Sequence, residues 1–254
     1  MSSFRRVGAR PESENPAKDY YPRQRKSLAG IALRAFLLGA ANLLGVLSTI
    51  LILSFTSSPL WRLPFFLASL SLFHFLEFWT TAAYNTPQAT VYAFLLTANW
   101  PAYAIAHATA FIECFLTNLI FRDSVWAPFG LKPLLVTAGL LLVVVGQAVR
   151  SLAMTTAGES FNHTVQHYKA ESHTLVTTGI YAWFRHPSYF GFFWWAIGTQ
   201  LVMGNVFSLF GYAGVLWYFF SKRIRHEEEL LIRFFGDDYV NYRKRVGVMI
   251  PFCN

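Results

Sequence analysis

The chain has 254 residues, of which 54% are apolar and only 13% are Asp, Glu, Lys or Arg, and its mean hydropathy is +0.37. Soluble globular domains carry about 25% charged residues, so this composition excludes a disordered chain, a collagen, a coiled coil and an ordinary soluble enzyme. Two cysteines, Cys114 and Cys253, are too few for a disulfide framework or a Cys-rich zinc site. The sequence therefore predicts an all-α protein that crosses a membrane several times.

The net charge of +8 comes mainly from two basic ends. Seven of the 21 Lys and Arg residues lie in residues 1–26, and seven more lie in residues 222–254. Basic segments that flank apolar spans are typical of the cytosolic side of a membrane protein, whereas nucleic-acid-binding proteins gather basic residues on one face. We therefore predict that both termini are cytosolic and that no nucleic acid is bound.

Four apolar runs of about bilayer length come first along the chain. The first, residues 31–55, is too long for a signal peptide and has no small-residue cleavage site, so it is expected to remain as a membrane helix. The next three membrane helices are predicted at residues 63–84, 101–121 and 134–154, because the bilayer core needs about 20 apolar residues per helix.

The last apolar stretch, residues 186–221, contains no Asp, Glu, Lys or Arg. Gly204-Asn205 divides it into halves that are each short for a span, which predicts a tight helical hairpin. The hairpin brings the total to six membrane helices, an even number that agrees with two cytosolic ends. The predicted organisation is a basic cytosolic tail at 1–30, membrane helices one to four at 31–154, and a catalytic region at 155–254 that holds a cofactor-binding loop, the hairpin and C-terminal amphipathic helices.

Four ionisable groups lie inside the predicted second and third spans. They are His74 and Glu77 in the second span, and His107 and Glu113 in the third. Intramembrane ionisable groups mark either functional positions or paired groups in the bundle interior. We favour pairing inside the bundle over catalysis.

The sequence does not support two common kinds of site, a nucleotide-phosphate loop and a metal centre. The chain has no Gly-x-Gly, which excludes a Rossmann dinucleotide turn and a P-loop. His163 and His167 are four residues apart, with Glu171 four further on, a spacing that could bind a metal on one helix face. A solvated polar segment has the same pattern, and we predict no metal.

The most specific motifs fall in two polar segments on the predicted cytosolic side, where loops and helix ends are expected to carry the chemistry. The first, TTGIYAWFRHPSYFG at 177–191, places Pro187 at a favoured helix-start position. The second, KRIRHEEELL at 222–231, places Arg223 and Glu227 at i, i+4 on one helix face. Taken singly, they indicate an interfacial helix start and a helix salt bridge; taken together, they indicate a membrane enzyme.

The sequence resembles the isoprenylcysteine carboxyl methyltransferase family, integral membrane enzymes of the endoplasmic reticulum, in its fungal-like six-helix form. The segments that carry the resemblance are SLSLFHFLEFWTTA at 69–82, FNHTVQ at 161–166, SHTLVTTGIYAWFRHPSYFG at 172–191, FFSKRIRHEEELLIRFFGDDY at 219–239 and IPF at 250–252. The shorter RHPxYxG pattern followed by a Glu pair also occurs in phospholipid N-methyltransferases and in membrane sterol reductases.

The resemblance implies methyl transfer from S-adenosylmethionine to the C-terminal carboxylate of a prenylated cysteine. The substrates would be CaaX proteins such as small GTPases, presented at the membrane lipid. A terminal carboxylate has an ordinary pKa near 3.3–3.7 and is ionised at pH 7, so the reaction needs no general base. The site must instead align the carboxylate oxygen with the methyl group and remove water from it.

The resemblance also implies the site residues. Arg223 is the expected catalytic and substrate-binding residue, since its guanidinium would orient the carboxylate through a one-sided contact. The expected cofactor contacts are Gln166, His173, Thr174, Leu175, Val176, Tyr181, His186, Pro187, Ser188, Tyr189 and Glu227. Together they predict a cytosolic-face, non-Rossmann pocket built from residues 161–191 and 222–239.

Three other functions remain open at this point. A phospholipid N-methyltransferase would act on an amine, for which Arg223 offers no help. A sterol-reductase-like enzyme would bind NADPH, and Lys222, Arg223 and Arg225 would then meet its 2′-phosphate. A structural membrane protein would bind no adenosylmethionine and would tolerate alanine at Gln166 and Glu227.

Overall fold

The computed structural model describes residues 16–120, 130–169, 173–251 and 253. Within these ranges the structure is helical and contains no strand, which confirms the predicted all-α class. The α-helices are α1 (Leu28–Phe55), α2 (Arg62–Tyr84), α3 (Ala102–Ile120), α4 (Lys132–Ala157), α5 (Pro187–Met203), α6 (Phe207–Phe235) and α7 (Asp237–Arg245). The tail before residue 16, the predicted end of the third span at Phe121, Glu171 and Phe252 lie outside the described residues.

Among the described residues, four segments are long and apolar enough to cross a membrane. They are Leu28–Phe55, Pro59–Tyr84, Ala102–Ile120 and Lys132–Ser160, and they correspond to the first four predicted spans. The hairpin is also present, because α5 ends at Met203 and Gly204 adopts a left-handed φ of +71° before α6 begins. The count of six spans stays a prediction, since α5 has only 17 residues.

Among the helix boundaries that differ from the prediction, the start of α1 and the end of α6 are the most informative. Helix α1 begins three residues earlier than predicted, because the Ser27 hydroxyl accepts a hydrogen bond from the Gly30 amide and caps the helix. Helix α6 does not end with the apolar stretch at Ser221. It continues through the charged motif to Phe235, so one helix carries both the second half of the hairpin and the Arg223 face.

Four glycines bring the backbones of α4 and α5 into direct contact. Gly139 of α4 faces Gly198 of α5, and Gly146 faces Gly191. A Cβ atom on Gly191 would lie 2.5 Å from the Gly146 carbonyl oxygen, and one on Gly198 would lie 2.7 Å from the Gly139 carbonyl oxygen. Small residues allow such close approach between membrane helices. The contact places Arg150, one turn beyond Gly146, beside the first turn of α5.

The ionisable groups of α3 pair with α6 rather than with each other. The Glu113 carboxylate accepts hydrogen bonds from the backbone amides of Val206, Phe207 and Ser208, at 2.7, 2.8 and 2.7 Å. His107 Nδ1 lies 2.6 Å from the Tyr212 hydroxyl. Glu113 therefore satisfies the free amides at the start of α6 and places a negative charge at the positive end of the helix dipole.

Replacing Glu113 with glutamine should destabilise the hairpin without affecting the cleft described below. The glutamine side chain has one uncharged carbonyl oxygen in place of the two charged oxygens of the carboxylate. Removing a capping interaction at a helix N-terminus typically lowers the free energy of unfolding by about 1–2 kcal/mol. Thermal unfolding of the purified protein in detergent micelles measures the effect. An unchanged unfolding midpoint would contradict the capping role.

Candidate active site

A cleft opens where the end of α4, the start of α5, the charged half of α6 and α7 meet. Its cavity volume is about 110 Å³, and its mouth is open to solvent. Ten of the eleven predicted cofactor residues line it: His173, Thr174, Leu175, Val176, Tyr181, His186, Pro187, Ser188, Tyr189 and Glu227. The structure thus brings together residues that span more than 50 positions in sequence.

Gln166 is the exception among the predicted cofactor residues. Its side-chain amide donates hydrogen bonds to the carbonyl and the hydroxyl of Thr164, at 2.9 and 3.2 Å. It is absent from the described residues that line the cleft. The structure therefore turns Gln166 toward its own loop, and its contact with a cofactor stays a prediction.

The wall formed by residues 173–182 is tied to the end of α4 and to α7. The Thr174 amide donates to the Ser160 hydroxyl at 3.1 Å, and the Tyr181 hydroxyl donates to the Ala153 carbonyl at 3.3 Å. The Tyr242 hydroxyl of α7 donates to the Tyr181 carbonyl at 2.6 Å. Gly179 turns the wall with a φ of +58°, a left-handed conformation that side-chain-bearing residues rarely adopt.

Arg223 and Glu227 meet through a tyrosine rather than in a direct ion pair. The Tyr189 hydroxyl donates to Glu227 Oε2 at 2.5 Å and accepts from Arg223 Nε at 2.8 Å. Arg223 Nη2 donates to the His163 carbonyl at 2.5 Å. Among the described residues, Arg223 Nη1 has no hydrogen-bond partner. The helix salt bridge expected from i, i+4 spacing is therefore replaced by a hydroxyl bridge that keeps one nitrogen of Arg223 available.

Glu228 is a residue of the site that the sequence reasoning missed. Its carboxylate is buried and contacts Arg185 Nε at 2.9 Å, His186 Nε2 at 3.2 Å and Arg243 Nη1 at 3.4 Å. Arg185 Nη1 also donates to the carbonyls of Arg243 and Val246. Glu228 therefore links the C-terminal segment to Arg185 and His186. A signal was available, because Glu228 lies four residues after the buried Ile224 and so shares its helix face.

Comparison with known proteins agrees with the motifs. A Saccharomyces cerevisiae protein named protein-S-isoprenylcysteine O-methyltransferase is 47% identical over 211 residues, which cover 83% of this chain and 88% of the yeast protein. The human protein of the same name is 42% identical over 222 residues, covering 87% of this chain and 74% of the human protein. The sequence model of the isoprenylcysteine carboxyl methyltransferase family matches residues 139–233. The chain belongs to this family.

The fold is also similar to that of a solved family member. A structure of a eukaryotic intramembrane Ras methyltransferase, isoprenylcysteine carboxyl methyltransferase, matches with a TM-score of 0.80 at 34% identity, covering 92% of this chain and 80% of that chain. The resemblance drawn from the motifs is thus confirmed, and the protein is a methyltransferase. The family motifs at 172–191 and 219–239 coincide with two walls of the cleft.

The histidines with metal-ligand spacing have other contacts in this methyltransferase. Residues 161–169 are not helical, so the expected common helix face does not form. His163 Nε2 lies 3.1 Å from the Thr81 hydroxyl, and the His167 ring faces the His226 ring at 5.5 Å. Over the described ranges, no group of three or more His, Cys, Asp or Glu residues is arranged to hold a metal ion.

Glu228 should make the stability of the methyltransferase sensitive to acid. Burial alone would raise the pKa of its carboxyl, but the hydrogen bonds and charges of His186 and Arg185 outweigh burial and lower the pKa to about 2, from an ordinary 4.5. A lowered folded-state pKa stabilises the fold above about pH 4.5, and this contribution is lost as the pH falls toward 2. Glu228→Gln should cost about 3 kcal/mol at pH 7 and flatten the stability profile between those pH values.

Unfolding in detergent micelles at a series of pH values, followed by tryptophan fluorescence, measures this effect. Glu229→Gln is the matched control, because Glu229 is the next residue and is exposed. Equal profiles for the two variants would contradict a stabilising role for Glu228.

Proposed function

We propose that this methyltransferase transfers a methyl group from S-adenosylmethionine to the C-terminal carboxylate of a prenylated cysteine in CaaX-processed proteins such as small GTPases. The observation that carries the proposal is the geometry of Arg223. Arg223 does not itself line the cleft, but Tyr189, which does, and His163 hold two of its nitrogens, and the third is left for a substrate oxygen. The names of the relatives, protein-S-isoprenylcysteine O-methyltransferase, support the same substrate.

The chemical character of the cleft fits adenosylmethionine. Glu227 is partly exposed in the cleft and accepts hydrogen bonds when ionised, so it suits ribose hydroxyls or the ammonium group. Residues 173–177 form neither helix nor strand and line the cleft through 173–176, where backbone groups can bind polar atoms without charged side chains. His186 and Tyr189 stack with ring centroids 5.5 Å apart and form a flat wall. Bound adenosylmethionine would supply an electrophilic methyl group.

The protein's part in the reaction is positioning and removal of water. The substrate carboxylate is already ionised at neutral pH, so no residue has to remove a proton. Arg223 orients the carboxylate through Nη1 alone, which leaves the other oxygen less hydrogen-bonded and more nucleophilic than a two-point contact would. The walls of the cleft hold the two reactants in line, an effect that can supply several kcal/mol of the barrier.

The position of Arg223 on α6 also fits a lipidated substrate. Residues 207–221 of the helix are uncharged, and the charged half begins at Lys222. The prenyl chain would therefore lie in the bilayer beside the uncharged half, while the carboxylate reaches Arg223 at the boundary. We place the cleft and both termini on the cytosolic side of the endoplasmic reticulum membrane, with the α5–α6 hairpin as the fifth and sixth spans.

Transfer of labelled methyl from S-adenosylmethionine to N-acetyl-S-farnesyl-cysteine tests the proposed function. Purified protein should yield label that mild base releases as volatile methanol, because carboxyl methyl esters are hydrolysed by base. Label that resists base, or label found only on a phospholipid amine, would overturn the proposal and identify an N-methyltransferase.

A further inference from the structure

A buried ion pair lies beneath the cleft without lining it. Arg150 of α4 donates to Glu77 of α2 through Nε to Oε1 at 2.5 Å and through Nη2 to Oε2 at 2.7 Å. The Glu77 side chain is 1% exposed and that of Arg150 is 8% exposed. The rings of Phe73 and Phe192 flank the guanidinium at 5.3 and 5.4 Å and hold it in one orientation. A buried ion pair is weak evidence for stabilisation, because desolvation offsets its attraction, so another role has to be considered.

Arg150 reaches the cofactor side of the cleft. Its remaining nitrogen, Nη1, donates to the Ser188 hydroxyl at 2.8 Å and to the Ser188 carbonyl at 3.1 Å. Ser188 is the second residue of α5 and lines the cleft between Pro187 and Tyr189. All three guanidinium nitrogens of Arg150 therefore donate hydrogen bonds. The planar guanidinium group thus fixes the first turn of α5 relative to Glu77.

The Glu77 carboxylate lies close to the loop that holds Arg223. Its Oε2 lies 3.6 Å from Nδ1 of His163, whose Nε2 contacts the hydroxyl of Thr81, one turn along α2. The His163 carbonyl accepts the hydrogen bond from Arg223 Nη2. Burial lowers the pKa of His163 to about 4, although the Glu77 charge opposes this, so the imidazole is neutral at pH 7. Thr81, whose hydroxyl also donates to the Glu77 carbonyl at 2.7 Å, therefore holds the loop that in turn holds Arg223, while the Glu77 carboxylate lies beside the imidazole without a hydrogen bond to it.

We propose that the Glu77–Arg150 pair is a positioning element that sets the distance between the cofactor side of the site at Ser188 and the substrate side at Arg223. This inference rests on the proposed function of the cleft. In-line transfer is sensitive to such spacing, because a misplacement of about 1 Å costs on the order of 10²-fold in rate. Neither residue touches a reactant, so the pair acts on the cofactor side through Ser188 and on the substrate side by fixing α2, whose Thr81 contacts His163.

Arg150→Lys tests the proposal. Lysine keeps the positive charge beside Glu77, but one ammonium group cannot reproduce the planar fork that joins both Glu77 oxygens to Ser188. Turnover is measured with N-acetyl-S-farnesyl-cysteine and divided by the number of sites that bind S-adenosylhomocysteine, counted by titration calorimetry. We expect near wild-type site numbers and turnover per site lower by on the order of 10²-fold. A merely structural role would reduce the number of sites and leave turnover per site unchanged.

Arg62→Lys is the matched control. Arg62 lies on α2, the helix that carries Glu77, is only 2% exposed and donates to Asn118 away from the cleft. This variant should keep turnover per site within about twofold of wild type. Thr81→Val provides a milder second test, because it removes only the hydroxyl that contacts His163, and it should lower turnover per site by roughly fivefold.

Two results would overturn the positioning role. One is turnover per site within about twofold of wild type in both Arg150→Lys and Thr81→Val. The other is an equal loss in Arg62→Lys. Failure of the proposed function would look different, since the wild-type protein itself would then form no base-labile ester while the calorimetric site count remained measurable.

Discussion

Arg223→Ala is expected to lower kcat/KM for N-acetyl-S-farnesyl-cysteine by roughly 30- to 5,000-fold, since removing one partner of a desolvated charge pair costs about 2–5 kcal/mol. Adenosylmethionine binding should change little, because the hydrogen bond from Tyr189 to Glu227 does not depend on Arg223. The loss should therefore appear in the prenylcysteine parameters. Initial rates at varied concentrations of each substrate separate the two effects.

Two further variants serve as comparisons for Arg223→Ala. Arg223→Lys keeps the charge, but a single ammonium cannot hold Tyr189 and His163 while leaving a separate nitrogen for the substrate, so we expect only partial activity. Arg225→Ala removes an exposed arginine two residues away and should leave kcat/KM nearly unchanged. Equal losses at positions 223 and 225 would indicate a general charge effect and contradict the specific contact.

Gly191→Ala is expected to destabilise the fold strongly. The new Cβ would lie 2.5 Å from the Gly146 carbonyl oxygen and 2.7 Å from the Arg150 amide nitrogen, distances that a carbon atom cannot occupy. Both contacts are backbone atoms of α4, so α4 and α5 must separate. Overpacking a tight interface costs about 1–3 kcal/mol and sometimes more, and we expect the upper end of this range because no flexible side chain can move aside.

Gly214→Ala is the matched control for this experiment. Gly214 is also in a helix of the hairpin, and nothing lies within 4 Å of the position that its Cβ would take. The same substitution should be neutral or stabilise α6 by up to about 1 kcal/mol, because alanine is the better helix former. Thermal unfolding in detergent and S-adenosylhomocysteine binding measure both variants. A Gly191→Ala protein as stable as Gly214→Ala would contradict the close helix contact.

Local patterns in the sequence predicted the fold class and the helices of the described residues. Hydropathy runs located α1 to α4 within a few residues, and Gly204-Asn205 located the turn of the hairpin. The family resemblance carried by the motifs at 172–191 and 219–239 implied ten residues that the structure gathers into one cleft. Their role in cofactor binding stays a prediction. These features were accessible because hydropathy, turn chemistry and motif spacing depend on residues near one another in the chain.

The sequence by itself thus determined a helical membrane methyltransferase and the segments that hold its site, whereas the tertiary structure decided which side chains meet. Glu77 pairs with Arg150, 73 positions away, instead of with His74 on its own helix. Arg223 and Glu227 are joined by Tyr189, and the buried carboxylate is Glu228 rather than its neighbour. The physical reason is that the partner of a buried charge depends on where other helices bring their polar groups. The glycine contact between α4 and α5, for example, places Arg150 beside Ser188, which lies 38 positions away in the chain.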